Sequence, residues 1–589
     1  MTIDATHPSP FLQRPWTSLD GVWGFSLDRT RDWDAPGEPP FDDTILVPFA
    51  PETPASGVGA TGFVEQCWYR RTLDIDPAAD DERVLLHFLG VDRVADVWID
   101  GHHLGRHVGG YRPFTFDITE YVRPDAELVV RATDAAADLS VPRGKQDWQE
   151  TSHAIWYPRT TGIWKTVWVE RVATNRIESL RWTSDVSAMS VTLRAVIAGP
   201  LDDRPLHLDV ALCVGDRLLV SDRVSVVGRV VERTFPIGDL GFDDRIGLLW
   251  WPSRPTLIEA DLRLHRDGRQ LDQVASYTAL RTIEVADGRF LLNGRPYPLR
   301  LVLDQGYWPD TGATPPDVDA LRRDIELTKM LGFNGARKHQ KVEDPRYFAL
   351  ADQLGLLTWV EMPSAYRPGP EAAMALLDEW RDVVANHVNH PSVIAWVPIN
   401  ESWGVPDCAR DRSQRALILA LSHLTDALDG MRPVSANDGW ETVGGSIVGI
   451  HDYDQDARVL QDRYGDTDAV DRLLRGCRTD GKAADLDRSP ADGRAVVLSE
   501  FGGTSLTTDT SGTAFSLGTA NWGYDNVDTV DDLLVRYRGL WAAVHASTTL
   551  AGACWTQLTD TYQEVNGLLR ADRTPKADID ALRAATKGR

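Results

Sequence analysis

Apolar and polar positions alternate with a period of two through the first half of the chain. Residues 22–27, 67–75, 84–89, 95–99, 128–132 and 163–169 each form a short alternating run bounded by Gly, Pro or Asp, the signature of half-buried strands. Asp100-Gly101 separates two such runs and predicts a two-residue hairpin. Many short strands without helices predict a β-sandwich or jelly roll over 1–173. Runs at 190–197, 206–213, 217–221, 224–235 and 257–264 continue the pattern and predict an immunoglobulin-like β-sandwich over 174–284. The rhythm then changes. Eight short apolar runs, at 299–303, 333–336, 356–360, 393–397, 434–436, 447–450, 495–498 and 551–555, are separated by helical patterns. Such βα alternation over 285–589 predicts a C-terminal (β/α)8 TIM barrel. Thr314 and Pro315 supply a start signal for its first helix, in which Val318, Leu321 and Ile325 share a face. The polar stretch 454–494 is expected to form a long loop after the sixth strand.

Composition narrows the function without choosing one. A 589-residue chain is long enough for several domains, and its net charge of −25 disfavours nucleic acid or an anionic membrane as partner, since phosphate contacts need clustered Lys and Arg. The five cysteines, Cys67, Cys213, Cys408, Cys477 and Cys554, are scattered; buried free thiols in a reducing compartment are expected, with no metal site. No basic segment followed by an apolar one opens the sequence, and no apolar run is long enough to span a bilayer; a cytoplasmic location is the expectation. No Gly-rich phosphate loop follows a predicted strand, so no nucleotide cofactor is expected. Self-association stays open.

Candidate chemistry gathers at the ends of barrel strands, where barrel active sites are built. Asn400-Glu401-Ser402 closes the fourth run and Glu500 the seventh. One such Glu alone is most simply a surface residue. Two, from strands on roughly opposite sides of a barrel mouth, are the equipment for cleaving a glycosidic bond with retention, which asks for a separation of ~5–5.5 Å. Arg337, at the end of strand two, is a fixed cation that would keep Glu500 ionised, and Tyr453, after strand six, would donate to it. Asn400 offers an amide to a sugar hydroxyl. Asp304, Trp308, His339, Glu361, Trp403, His451 and Trp555 also follow predicted strands and complete the set of substrate-binding candidates, with the indoles as platforms for sugar faces.

Four segments carry a resemblance: Thr161-Gly-Ile-Trp-Lys-Thr-Val-Trp-Val169, Phe333-Asn-Gly-Ala-Arg337, Ile394-Ala-Trp-Val-Pro-Ile-Asn-Glu-Ser402 and Leu498-Ser-Glu-Phe-Gly502. In these the chain resembles glycoside hydrolase family 2, which holds β-galactosidases, β-glucuronidases and β-mannosidases. The resemblance implies a jelly-roll sugar-binding domain, an immunoglobulin-like domain and a catalytic barrel, with Glu401 as acid/base and Glu500 as nucleophile. It implies a small glycoside or oligosaccharide substrate. The β-glucuronidase branch carries an Asn-x-Lys pair near strand eight; here Asn566 is followed by Leu568, which lowers a uronic acid, although Arg570 is close by. A terminal neutral sugar, first a β-D-galactoside, is the expectation. A β-D-galactofuranoside or α-L-arabinofuranoside, a β-glucuronide, and a non-catalytic carbohydrate-binding protein are the alternatives.

Overall fold

A computed structural model describes residues 4–202, 204–238, 242–476, 482–487, 493–507 and 523–589. Cys477 lies outside them; of the other cysteines, Cys67, Cys408 and Cys554 are buried free thiols and Cys213 is half-buried. The first part of the chain is two sheets facing each other. One has the strands Trp16–Ser18, Val167–Ala173, Glu82–Phe88 and Phe114–Asp117; the other has six strands ordered Asp43–Val47, Gly21–Leu27, Gln66–Leu73, Ala126–Thr133, Val94–Ile99 and His102–Val108. Their inward positions, among them Trp23, Phe25, Leu86, Phe88 and Val97, form one apolar core, as alternation dictates. The hairpin forms at Asp100-Gly101, both with positive φ.

A second sandwich follows. It pairs a sheet of Arg176–Asp185, Ser190–Ala198 and Val230–Pro236 with a sheet of Arg217–Val226, Leu206–Val214, Ile258–Arg266 and Arg269–Thr278. The strands Arg176–Asp185 and Arg269–Thr278 are additions to those read from the sequence.

The third part is a barrel of parallel strands: Leu299–Asp304, Gly335–Lys338, Leu357–Glu361, Val393–Val397, Ile447–Asp452, Ala495–Gly502 and Gly552–Thr556, ordered fourth-third-second-first-eighth-seventh-sixth by barrel position. The expected fifth strand is not a regular strand. The segment at 434–438 occupies its place through the parallel bridges Trp396↔Val434 and Asn400↔Asp438, and Ile447 N donates to Val434 O at 3.1 Å on the other side. The first barrel helix, Val318–Met330, is capped by Asp317 accepting from Ala320 N, not by Thr314, whose hydroxyl donates to Trp164 O in the first sandwich at 2.7 Å. The stretch after strand six folds into helices Ala457–Tyr464 and Thr467–Arg475 where a loop was expected; Asp456 and Asp466 cap them. A small sheet formed by Ile283–Ala286, Arg289–Leu292 and Arg295–Pro296 places Ile283, Phe290 and Leu292 in one cluster with Leu299, Leu301 and Trp359, closing the N-terminal end of the barrel. No helix among the described residues is long and apolar enough to cross a membrane.

Candidate active site

Arg337 organises the open end of the barrel. It is fully buried. Its Nη1 lies 2.8 Å from Glu500 Oε1 and 3.0 Å from Asp438 Oδ2, its Nη2 donates to Asn400 Oδ1 at 2.6 Å, and its Nε donates to Glu361 Oε2 at 2.8 Å. Burial opposes a cation here, but Glu361, Asp438 and Glu500 outweigh it and push its pKa well up. Four strand ends are thereby fixed around one planar fork of donors.

Glu500 reaches this point through an irregularity. Ala495 and Val497 pack in the barrel interior, so strict alternation would bring Ser499 inward next. Strand seven carries an extra residue here: it advances three residues, from Leu498 to Phe501, against two on strand eight, and three, from Val497 to Glu500, against the two from Gly449 to His451 on strand six. Such bulges re-aim side chains: Glu500 and His451 become paired neighbours. The Tyr453 hydroxyl donates to Glu500 Oε2. Burial would raise the Glu500 carboxyl, yet His451 and Arg337 hold it below the usual range. The Tyr453 phenol is pushed well up by burial and by Glu500, so it keeps the proton it donates.

Glu401 stands half-buried opposite. Both Glu401 and Ser402 have positive φ, +51° and +57°, which costs roughly 1–3 kcal/mol each. The turn is held by Glu401 N donating to Asp438 O at 2.9 Å and Ser402 N donating to Asn437 Oδ1 at 2.9 Å. His451 Nδ1 lies 2.6 Å from Glu401 Oε1, and its Nε2 lies 3.0 Å from Asp438 Oδ2 and 3.3 Å from Glu500 Oε1. Burial works against charge on this imidazole, but Glu500, Asp438 and Glu401 raise its pKa to about 9. Gly439, at φ +87°, makes room for it: a Cβ there would sit 2.4 Å from the ring. Oxygens of Glu401 and Glu500 and a nitrogen of His451 lie within 4.8 Å of one another.

That trio is also the group among the described residues with donor atoms placed to hold a metal ion. Arg337 already supplies positive charge there, and an imidazole titrating near 9 carries protons on both nitrogens at neutral pH rather than a lone pair for a metal.

The remaining candidates divide. Asn400 is fully buried with its Nδ2 unpartnered, a donor ready for a ligand. Trp403 is half-buried among Tyr366, Trp156 and His339, with ring centroids 5.2, 6.2 and 6.4 Å away. His339 Nδ1 lies 3.0 Å from Glu361 Oε1 and 3.8 Å from Glu500. Glu361 is fully buried behind Arg337, and Gln340 donates to it from both its backbone and its side chain at 2.9 Å; burial opposes its charge, but Arg337 and His339 bring its pKa to about 2. It holds Arg337 rather than meeting a ligand. Asp304 is buried and accepts from Lys338 Nζ at 2.7 Å. Trp308 is buried between Lys341 and Arg573, whose cationic groups lie 5.1 and 4.9 Å from its ring.

Trp555 is a correction. It is fully buried between barrel and helices, against Phe501 and Tyr537, while its neighbour Cys554 packs inside the barrel. Period-two alternation turns Trp555 outward and Thr556 inward; Thr556 Oγ1 lies 3.3 Å from the Tyr453 hydroxyl. Asp438 is a residue of this cluster that sequence reasoning missed. It ends the fifth run as Glu401 ends the fourth, so the same strand-end rule could have found it.

The first sandwich also reaches the mouth. Arg143 N and Gly144 N donate to Ser364 O at 3.0 and 3.2 Å, the Trp156 indole donates to the Tyr366 hydroxyl at 2.8 Å, and Gln563 donates to Ala154 O and Trp156 O at 2.9 and 2.7 Å.

Comparisons with known proteins fit this architecture. Residues 61–164 match the glycosyl hydrolase 2 galactose-binding domain-like family, and residues 283–464 match the TIM barrel domain of glycosyl hydrolases family 2. A β-galactosidase of Thermoanaerobacter pseudethanolicus is 27% identical over 62% of this chain and 49% of its own length. A β-glucuronidase of Bacteroides fragilis is 26% identical over 58% of this chain and 50% of its own. The chain thus spans about half the length of these curated relatives. Among solved structures, a β-galacturonidase from Eisenbergiella tayi superposes with a TM-score of 0.72 at 19% identity, covering 98% of this chain and 97% of that one. Bacteroides uniformis β-glucuronidase 2 gives 0.76 at 20%, covering 98% and 69%.

Proposed function

The chain belongs to glycoside hydrolase family 2, and from that premise we propose that it is a retaining exo-glycosidase working by double displacement. The observation that carries this reading is the convergence of Glu401 and Glu500, with carboxylate oxygens within 4.8 Å. So close an approach of one oxygen from each carboxylate favours the retaining class, at ~5–5.5 Å between carboxyl groups, over an inverting pair at ~6.5–9.5 Å. Glu500, ionised between Arg337 and Tyr453, attacks the anomeric carbon. Glu401 gives its proton to the departing glycosidic oxygen. A glycosyl ester on Glu500 results. Water then attacks the same carbon, loses a proton to Glu401, and frees Glu500. The unpartnered Asn400 amide meets the sugar hydroxyl next to the anomeric carbon. Trp403 offers its ring to a sugar face.

The substrate is a terminal neutral sugar, first a β-D-galactoside. In support, Leu568 is buried in the apolar core and the Arg570 guanidinium donates to Pro575 O at 3.1 Å within its own turn, so the strand-eight loop presents no cation in the style of an Asn-x-Lys pair. The names of the relatives keep a β-glucuronide or galacturonide as second reading; none of the proteins named above is a furanosidase, so furanosides come last.

A panel of p-nitrophenyl glycosides with a 2-deoxy-2-fluoro galactoside tests this. We expect turnover of the galactoside, one sugar attached at Glu500 by peptide mass analysis, and a loss of at least about 10⁴-fold in Glu500→Ala. Glu401→Ala should lose about 10²–10⁴-fold on poor leaving groups and far less on activated aryl glycosides. Absence of turnover on every glycoside would leave a non-catalytic sugar-binding protein.

A further inference from the structure

One cation at the barrel mouth plays no part in the chemistry above. Lys145, from the first sandwich, is 3% exposed, yet no hydrogen bond to its ammonium is found among the described residues. Its carboxylate partner, Glu564 Oε2, is 3.7 Å away, too long for a hydrogen bond. The Tyr157 and Trp403 rings lie at 5.5 and 5.9 Å, and Trp403 stands two residues beyond Glu401. An ion pair at 3.7 Å leaves the three N–H donors of this ammonium available to a ligand that can accept from them.

Its surroundings are built for polar recognition. Glu564 is 2% exposed and accepts from the Tyr157 hydroxyl at 2.5 Å. Asn566, 1% exposed, leaves its Oδ1 unpartnered and directs its Nδ2 to Glu564 Oε1 at 3.5 Å. Burial, followed by the charges of Glu500, Glu401 and Glu564, pushes the Tyr524 phenol well up, so Glu564 and the two converging carboxylates act on one hydroxyl. With Glu401 as the proton donor, the mouth still holds more anionic than cationic groups: Glu361, Asp438, Glu500 and Glu564 against Arg337, His451 and Lys145. A substrate carboxylate would add to that excess, whereas a hydroxyl can accept from Lys145 and donate to Glu564 or Asn566 at once.

We propose that Lys145, Glu564 and Asn566 form the specificity end of the sugar site, reading the hydroxyls farthest from the anomeric carbon of a neutral sugar. This rests on the glycosidase reading and assigns its substrate class to a contact between the first sandwich and the strand-eight loop.

The test compares kcat/KM for p-nitrophenyl β-D-galactopyranoside with its 4-deoxy and 6-deoxy analogues and with the galacturonide, in the wild type and in Lys145→Met and Glu564→Gln. Removing a hydroxyl that the site is built to bond should cost the wild type about 10²-fold or more for at least one analogue. Both variants should shrink that ratio at least tenfold by losing activity on the galactoside while holding the deoxy analogue within a few fold. A merely structural lesion would lower both substrates together and leave the ratio fixed, which would overturn the proposal. So would wild-type rates within threefold across all three neutral substrates, a reading that needs no variant to fold. A galacturonide preference lost in Lys145→Met would overturn it in favour of a carboxylate ligand. Fluoro-sugar attachment at Glu500 is read in parallel: attachment with unchanged ratios sinks this inference alone, and no attachment with any sugar sinks the glycosidase reading and this one with it.

Discussion

His451 ties the two converging carboxylates to one charge balance, touching Glu401 at 2.6 Å and Glu500 at 3.3 Å while Asp438 anchors it at 3.0 Å. Its pKa is raised to about 9 from an ordinary 6.5. A raised pKa in the folded state means stability fully present below pH 6.5 and lost as pH climbs through 9, worth about 3 kcal/mol at most. Urea unfolding at pH 6 and pH 10 should therefore show a larger alkaline loss for the wild type than for His451→Gln; equal losses would refute the assignment. Removing the imidazole should also loosen the Glu401 carboxyl that it holds at 2.6 Å, so that His451→Gln falls by ten- to a hundredfold on poor leaving groups and little on activated ones, read from paired kinetics. That the Glu pair, Arg337, Asn400 and Tyr453 meet at one end of the barrel was legible in the sequence because strand ends deliver chemistry to one face. Trp555 was misread because one step along a strand reverses a side chain. Lys145 and Glu564 gave no signal at all: nothing local distinguishes a lysine in a sandwich loop, and its place at the mouth depends on how two distant segments pack.

Elements, as opposed to residues, set the precision of this mouth. The bulge in strand seven is invisible to periodicity, since the apolar run at 495–498 ends where it begins. The fifth segment has the composition of a strand but pairs only through isolated bridges, because its end must turn Asn437 and Asp438 back onto the Glu401 turn. The docking loop has its own critical position. Gly144 has φ +58°, and a Cβ there would lie 2.2 Å from Gln340 O, a main-chain atom that cannot swing away. Gly144→Val should displace Lys145 and Tyr157 from the mouth, reducing kcat/KM by about 10²-fold with a stability cost of roughly 1–3 kcal/mol. Steady-state kinetics beside a melting curve would check this; full activity would show that the loop is only a cover.

Across the whole molecule, the order of two sandwiches and a barrel was readable from rhythm alone, because period-two and βα patterns differ over hundreds of residues. Their mutual packing was not, because it joins residues far apart in sequence, as Tyr157 with Glu564, Arg14 with Asp272, and Tyr111 and Trp164 with the apolar core of the barrel. If the proposed sugar site draws on the first sandwich and the barrel together, a galacto-configured azasugar at a hundred times its Kd should stabilise both by ~2.7 kcal/mol. Calorimetry should then show both parts shifting to higher temperature, and only the barrel shifting in Gly144→Val. The apolar sheet that plugs the far end of the barrel, with Phe290 and Leu292 seated on Leu301 and Trp359, has a consequence for traffic. Among the described residues the plug leaves the mouth as the doorway of the well. In the proposed mechanism the aglycone leaves by the route through which water then arrives, so the two take turns. An alcohol waiting at that doorway competes with water for the ester on equal terms, and concentrated acceptors should divert product from free sugar to new glycosides in proportion to their occupancy there.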